Sequence, residues 1–429
     1  MIAEILLLVI SFLILLSLGV PVAWSIGISC LLTLAVSIDS LAAFTTMAQR
    51  MATGLDSFSL LAIPFFILAG QIMNQGGIAH RLINFAKALI GSMPGGLIYV
   101  NVIAAMLFGA ISGSAVAAAS AIGGILGPPM EKEKYSKEFG AAINVTASTT
   151  GLIIPPSNVL IVYSLASGGV SIASLFLAGY IPGILMGLAL MLVAAVWIKK
   201  KKYPPGEKTS AKKIATTFLD ALPSLLLLVV VIGGIVSGIF TATEASGIAV
   251  LYTLILAIIY REINLNKLHK IFLSSVVTTS IVLLLIATSM GMSWVMSFEN
   301  IPQTVSDALL GLSDNKYVIL IIINLLLLFV GTFMDMTPAI LIFTPIFLPI
   351  MKSLGVDPVH FGMIMVMNLC VGLCTPPVGS VLFIGVGVAK TTIQKVMKPL
   401  LPLYIAMAII LLLVTYLPQI SLWLPGLFE

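Results

Sequence analysis

Long apolar runs, cut by short clusters of charge, glycine or proline, make up most of the chain. A helix crossing a hydrocarbon core of about 30 Å needs about 20 apolar residues. The pattern predicts such helices at Ile2–Gly19, Val22–Ile38, Ser59–Asn74, Ile172–Ile198, Leu222–Phe240, Glu244–Tyr260, Ile281–Ser297 and Leu400–Leu417. The amphipathic stretches Asp39–Phe58, Gly77–Met93 and Arg261–Ser280 read as helices lying along the bilayer surface.

The remaining regions are apolar but interrupted. Leu97–Gly127 is broken by Gly109-Ala110-Ile111-Ser112-Gly113-Ser114. Its arms, of about 12–14 residues or about 20 Å each, are too short to cross. Lys87 and Lys132 flank both ends, so the pattern predicts a re-entrant hairpin turning at Ser112–Ser114. A counterpart runs from Tyr317 to Ile350 and turns between Gly331 and Pro338. An interrupted helix follows each hairpin. The first, 139–167, breaks from Thr150 to Ser157 around Pro155-Pro156; the second, 359–389, breaks from Gly372 to Gly379 around Pro376-Pro377. Consecutive prolines remove backbone donors and cannot continue a helix.

Composition agrees with burial in lipid. Of 429 residues, 60% are apolar and 9% charged, against about 25% charged in soluble domains. Glu4 stands where a signal peptide would carry basic residues, so the first run reads as a retained helix. Seven lysines (Lys199, Lys200, Lys201, Lys202, Lys208, Lys212 and Lys213) mark one loop as cytoplasmic. Counting spans outward leaves only Arg50, Lys316 and Lys352 outside among the 21 basic residues, and puts both termini on the external side.

The chain also repeats itself. Gly151-Leu152-Ile153-Ile154-Pro155-Pro156 matches Gly372-Leu373-Cys374-Thr375-Pro376-Pro377; Phe139-Gly140 matches Phe361-Gly362, and Gly109 matches Gly331. An odd number of crossings separates the copies. The expected fold is therefore an all-α polytopic membrane protein of two inverted-topology repeats, residues 1–198 and 219–429, joined by a Lys-rich cytoplasmic linker, 199–218.

Unwound backbone at membrane depth is tolerated where it lines a cavity or ligand site. Freed carbonyls and hydroxyl oxygens suit a desolvated cation, while half-helix N-termini suit an anion. Two cation sites are expected, for sodium first and protons second. One combines Ser112 and Ser114 with Gly151, Ile154 and Pro156; the other combines Gly331 and Thr332 with Gly372, Thr375 and Pro377. Asn144, Thr149, Ser157, Asn158, Asp335 and Thr337 are the candidates for holding substrate. A carboxylate inside a membrane costs about 2.5–3.5 kcal/mol on insertion scales, which marks Asp335 as functional unless it only caps the following helix. Glu244 reads as a helix-start residue, and Arg50 as an anion attractor or an interfacial anchor. His80, His269 and His360 lie apart, outside any metal motif. Cys370 and Cys374 read as packing residues. The sequence contains no phosphate-binding loop, and its lone intramembrane aspartate argues against an embedded protease.

Phe58-Ser59-Leu60-Leu61-Ala62-Ile63-Pro64-Phe65-Phe66-Ile67-Leu68-Ala69-Gly70, the two Gly-Leu-x-x-Pro-Pro breaks and Thr243-Glu244-Ala245 resemble the large membrane subunit of the tripartite ATP-independent periplasmic (TRAP) transporters over essentially the whole chain. The resemblance implies a sodium-driven importer of organic acids in a bacterial inner membrane, working by an elevator motion. It implies a small four-helix membrane subunit and a periplasmic substrate-binding protein as partners. Because the chain starts at Met1-Ile2, the small subunit is expected to be separate. Sialic acid is expected slightly ahead of C4-dicarboxylates, on general similarity. The competing readings are a stand-alone sodium/carboxylate symporter and a channel.

Overall fold

The computed structural model describes residues 2–203, 205–206, 209–313 and 315–428, apart from the side chains of Ile2, Ala79 and Ile111. Lys208, one of the seven loop lysines, lies outside the described residues. Helices make up most of the described chain. In chain order they are α1 (Ile2–Ser17), α2 (Val22–Ser37), α3 (Ser40–Leu55), α4 (Ala62–Gln75), α5 (Ile78–Ile90), α6 (Gly96–Ser112), α7 (Ala115–Lys132), α8 (Lys137–Thr150), α9 (Asn158–Ala166) and α10 (Ile172–Lys201). The second half holds α11 (Ala211–Val236), α12 (Ala242–Ile259), α13 (Leu265–Phe298), α14 (Ile301–Leu310), α15 (Lys316–Gly331), α16 (Met336–Ser353), α17 (Pro358–Gly372), α18 (Ser380–Val388), α19 (Ile393–Tyr416) and the short α20 (Gln419–Leu422). Among the described residues, seven helices are long and apolar enough to cross a membrane, and five shorter apolar helices accompany them. The outer faces carry exposed Leu13, Val36, Val196 and Leu251. Such a surface belongs against lipid: this is a multi-pass, all-helical membrane protein.

The expected elements form, with three differences. The hairpin arms α6 and α7 have 17 and 18 residues, longer than expected, because α7 continues through Pro128 and Pro129 to Lys132. The surface stretch 261–280 and the span after it are one 34-residue helix, α13. In the first half the corresponding chain breaks between α3 and α4 at Asp56-Ser57. Residue spacing explains this. Gly54, in the last turn of α3, weakens the helix end of the first copy, whereas the second has Val276 there. Valine holds a helix better than glycine does. Finally, α14 was not foreseen; it caps the turn out of α13.

The helices fall into two packed groups. In one, α13 lies against α2, α3 and α4, α12 against α4, and α11 against α5 and α12. In the other, α6 packs on α8 and α15 on α17. Each second hairpin arm reaches across to the other half, α7 to α18 and α16 to α9. The exchange is reciprocal.

Both interrupted helices are broken. Seven residues, 151–157, separate α8 from α9, and seven more, 373–379, separate α17 from α18. The Pro155–Pro156 and Pro376–Pro377 peptide bonds are both cis. At each break a glycine backbone touches a hairpin glycine. A Cβ on Gly151 would stand 2.5 Å from the Gly109 Cα, and one on Gly372 would stand 2.6 Å from the Gly331 Cα. Neither contact leaves room for a methyl group.

Valine at Gly151 or Gly372 should therefore push a hairpin off its break. The expected cost is about 1–3 kcal/mol, read as a lower melting temperature of the purified protein in detergent. Melting curves that overlay the wild type would refute the close-contact assignment.

Candidate functional site

The two hairpin tips meet. Ser114 from the first tip and Asp335 and Thr337 from the second line two adjoining cavities of about 230 and 100 Å³. Local geometry sets each residue. Gly113 ends α6 in the left-handed conformation, φ 62°, with its N–H donating to the Gly109 carbonyl. A Cβ there would also lie 2.5 Å from Asn158 Nδ2, so only glycine fits. Ser114 starts α7, and its Oγ accepts the Ala117 N–H at 3.2 Å. Asn158 begins α9 immediately after the first break.

Asp335 holds the capping position of α16, yet its side chain makes no capping hydrogen bond to that helix. It is exposed and lines both cavities. The side chain therefore sits at the cap position without closing a standard cap. Among the described residues lining the two cavities, Asp335 is the only ionisable side chain.

Several expected site residues gather here: Ser112, Ser114, Asn158, Asp335 and Thr337. Others do not line these cavities. Ser157 is buried inside the break, its hydroxyl donating to the Leu152 carbonyl at 2.6 Å. Thr149 is buried where α8 crosses α17; its hydroxyl donates to the Thr146 carbonyl and lies 3.5 Å from Cys374 Sγ. Asn144 lines a separate cavity at the base of the first hairpin. Gly151 and Gly372 serve the close contacts described above, and Gly331 likewise. Ile154 packs on Gly183 of α10. The Thr332 carbonyl accepts the N–H groups of Val378 and Gly379, at 3.2 and 3.3 Å, tying the second tip to its break. The Thr375 hydroxyl donates to Val371 O at 2.8 Å. Pro156 and Pro377 lie within the breaks and line neither cavity.

Sequence reasoning missed four polar lining residues. Gln71 and Asn74 come from α4 and Thr278 from α13. Gln71 and Asn74 are polar positions three apart at the end of an apolar helix, so both fall on one face. Ser380 lines the smaller cavity, and its buried hydroxyl has no partner among the described residues. It stands 222 residues after Asn158, in the repeat register, so the repeat could have found it. Asn74 also lines a larger polar cavity of about 470 Å³ with His80, Arg81, Asp220 and Glu262. The tip cavity and this charged vestibule therefore share a wall.

Other candidates are structural. Glu244 and Thr241 form a reciprocal capping box. Arg50 lies over the Trp294 ring, 5.2 Å from its centroid, which fits an anchor of α3 on α13. His360 is buried, with Nδ1 2.7 Å from Ser421 Oγ. No group of three or more metal-ligating side chains occurs among the described residues.

Residues 9–420 match the family model of the tripartite ATP-independent periplasmic transporter, DctM component. The chain belongs to the DctM family. The family's large permeases act in a tripartite system with a small membrane subunit and a periplasmic binding protein. This DctM-family chain is 59% identical to YgiK of Salmonella typhimurium, described as uncharacterised, over 97% of this chain and 96% of that one. It is 38% identical to the C4-dicarboxylate TRAP transporter large permease protein DctM of Rhodobacter capsulatus, over 95% and 96% of the two chains. It is also 38% identical to the sialic acid TRAP transporter large permease protein SiaM of Vibrio cholerae, over 96% of each. The equal values give the sialic acid expectation no advantage. Among solved structures, the YdaH transporter of Alcanivorax borkumensis aligns with a TM-score of 0.64 at 13% identity, over 90% of this chain and 89% of that one. At that identity the likeness concerns the fold alone.

The geometry separates cavity residues from packing residues. Asn158→Ala should cut uptake by about tenfold or more, while Thr149→Val should leave substrate affinity unchanged. The reverse pattern in transport assays of the two variants would refute the placement.

Proposed function

We propose that the chain is the large permease subunit of a sodium-coupled importer of an organic acid anion, in the sialic acid or C4-dicarboxylate class. It sits in a bacterial inner membrane with both termini periplasmic. A small four-helix membrane subunit and a periplasmic substrate-binding protein complete the system. The family assignment and the names of the two 38%-identical relatives support the substrate class.

One observation carries the coupling: among the described residues lining the two tip cavities, the carboxylate of Asp335 is the only ionisable group, in a site that we assign to an anion. Two like charges about 4 Å apart repel by about 4 kcal/mol at an effective dielectric constant of 20. A cation bound at the hairpin tips removes that repulsion, so anion binding becomes conditional on the cation. Sodium suits the oxygen-only donors there: the Ser112, Ser114 and Thr332 hydroxyls and the carbonyls of the breaks. Each sodium entering down a tenfold gradient supplies about 1.4 kcal/mol, and each net positive charge crossing 100 mV adds about 2.3 kcal/mol. No ATP is required.

The motion is an elevator. The hairpins re-enter the membrane from opposite faces and travel with the broken helices as one body. The helices α4 and α13, which supply Gln71, Asn74 and Thr278, belong to the static group. Substrate thus sits between a moving wall and a fixed one.

The test is uptake into proteoliposomes holding this chain, with and without the small subunit, binding protein and a sodium gradient. Uptake should require all three. Uptake by the chain alone would support a stand-alone symporter, and gradient-independent, non-saturating flux would support a channel. Asp335→Asn should lower sodium-driven uptake by about tenfold or more without changing the melting temperature. Wild-type sodium dependence in that variant would remove Asp335 from the coupling site.

A further inference from the structure

We infer that the cavity at the base of the first hairpin is a second binding site, for a hydroxylated anion. This cavity, about 290 Å³, lies between α6, α7, α8 and α18, on the segments rich in lysine, and shares no lining residue with the tip cavities.

Its inner wall calls for hydrogen-bond donors. Asn101 and Asn144 both line it and are 1% and 3% exposed. The Asn144 amide nitrogen donates to the Ala119 carbonyl at 2.7 Å, which fixes the amide and leaves Oδ1 as its free end. Oδ1 of Asn101 and Oδ1 of Asn144 are both buried without a partner among the described residues. Buried acceptors are rarely left unpaired, and two in one wall suit a ligand that brings hydroxyl groups. The second half treats the same helix pair differently. There Asn368 on α17 donates directly to Asn324 Oδ1 on α15, at 2.8 Å, so that among the described residues one orphaned asparagine oxygen, Asn368 Oδ1, is left where the first half has two. The first half holds its two asparagines on a cavity instead.

The outer wall calls for negative charge. Glu131 and Lys137 pair at 2.6 Å on the rim. Lys390, also on the rim, makes no direct ion pair among the described residues, and its charge acts on Glu131 only at longer range, which leaves the rim with one more cation than anions. The side wall is open, since a Cβ on Gly124 or Gly127 would meet nothing within 4 Å. A molecule with hydroxyls at one end and an anionic group at the other matches this order. Two sources have that chemistry: a free hydroxy acid, and the glycerol-phosphate headgroup of phosphatidylglycerol. Choosing a hydroxy acid as the free ligand rests on the organic-acid reading above; the cavity chemistry does not.

Calorimetry on the full chain in nanodiscs tests the site, with gluconate as probe and hexanoate as the control lacking hydroxyls. In phosphatidylcholine discs gluconate should bind and hexanoate should not. Gly124→Leu, which fills the side wall, should weaken gluconate by about tenfold or more, and Leu265→Ala, on the exposed start of α13, should leave this binding unchanged. If Gly124→Leu lowers the melting temperature, Lys390→Gln takes its place, with about threefold weakening expected. Adding phosphatidylglycerol to the discs separates the sources. Gluconate binding that collapses identifies the lipid headgroup as occupant, and binding that persists identifies a free acid. No gluconate binding in phosphatidylcholine discs, equal binding of hexanoate, or unaltered binding in both Gly124→Leu and Lys390→Gln would overturn the proposal. Because the readout is binding, a failure of sodium-driven uptake would discard the transport reading and leave this result standing.

Discussion

Two backbone-on-backbone contacts seat the hairpins on the broken helices. Gly109 rests on Gly151, and Gly331 rests on Gly372. Each lets a hairpin lie directly against the point where a helix stops, closer than any side chain would permit. The chain then leaves the helix for seven residues and turns through a diproline. In a hydrocarbon environment an unwound segment needs partners for its polar groups. The first break finds one in Ser157, whose hydroxyl serves the Leu152 carbonyl. The second finds one in the tip of its own hairpin, where Thr332 O takes two amides.

From these contacts the site follows. Each hairpin, once seated, projects its tip toward the middle of the protein, and the reciprocal packing of α7 on α18 and α16 on α9 brings the tips together. Ser114 and Asp335, 221 positions apart in the chain, come to line the same small cavities. The opposite wall comes from helices of the other packed group, which carry Gln71, Asn74 and Thr278. A site built across two groups of helices changes whenever one group moves. That property suits transport better than it suits fixed binding or catalysis.

The two stretches that share sequence motifs differ locally in structure. The first copy breaks between α3 and α4 where the second runs straight through α13. Asn324 and Asn368 contact each other in the second half, while Asn101 and Asn144 line a cavity in the first. Tyr404 donates to the Cys374 carbonyl within the second break, a contact with no counterpart described at the first. One architecture thus carries two differently finished ends.

The sequence alone determined the class of the protein. Apolar runs of membrane length, a nearly gapless repeat, paired glycines 221 or 222 positions apart and two diproline breaks each report a backbone requirement, and such requirements are written locally. Asp335 was legible for the same reason, since a carboxylate in an apolar run carries its cost with it. What the sequence left open was which polar residues share a space. Thr149 and Asn158 look alike as polar residues near a break, yet one is sealed in a helix crossing and the other lines the cavity. Gln71 and Thr278 gave little warning, because their part depends on how distant helices pack. Side-chain direction and long-range contact are properties of the assembled fold, and only the tertiary structure decided them.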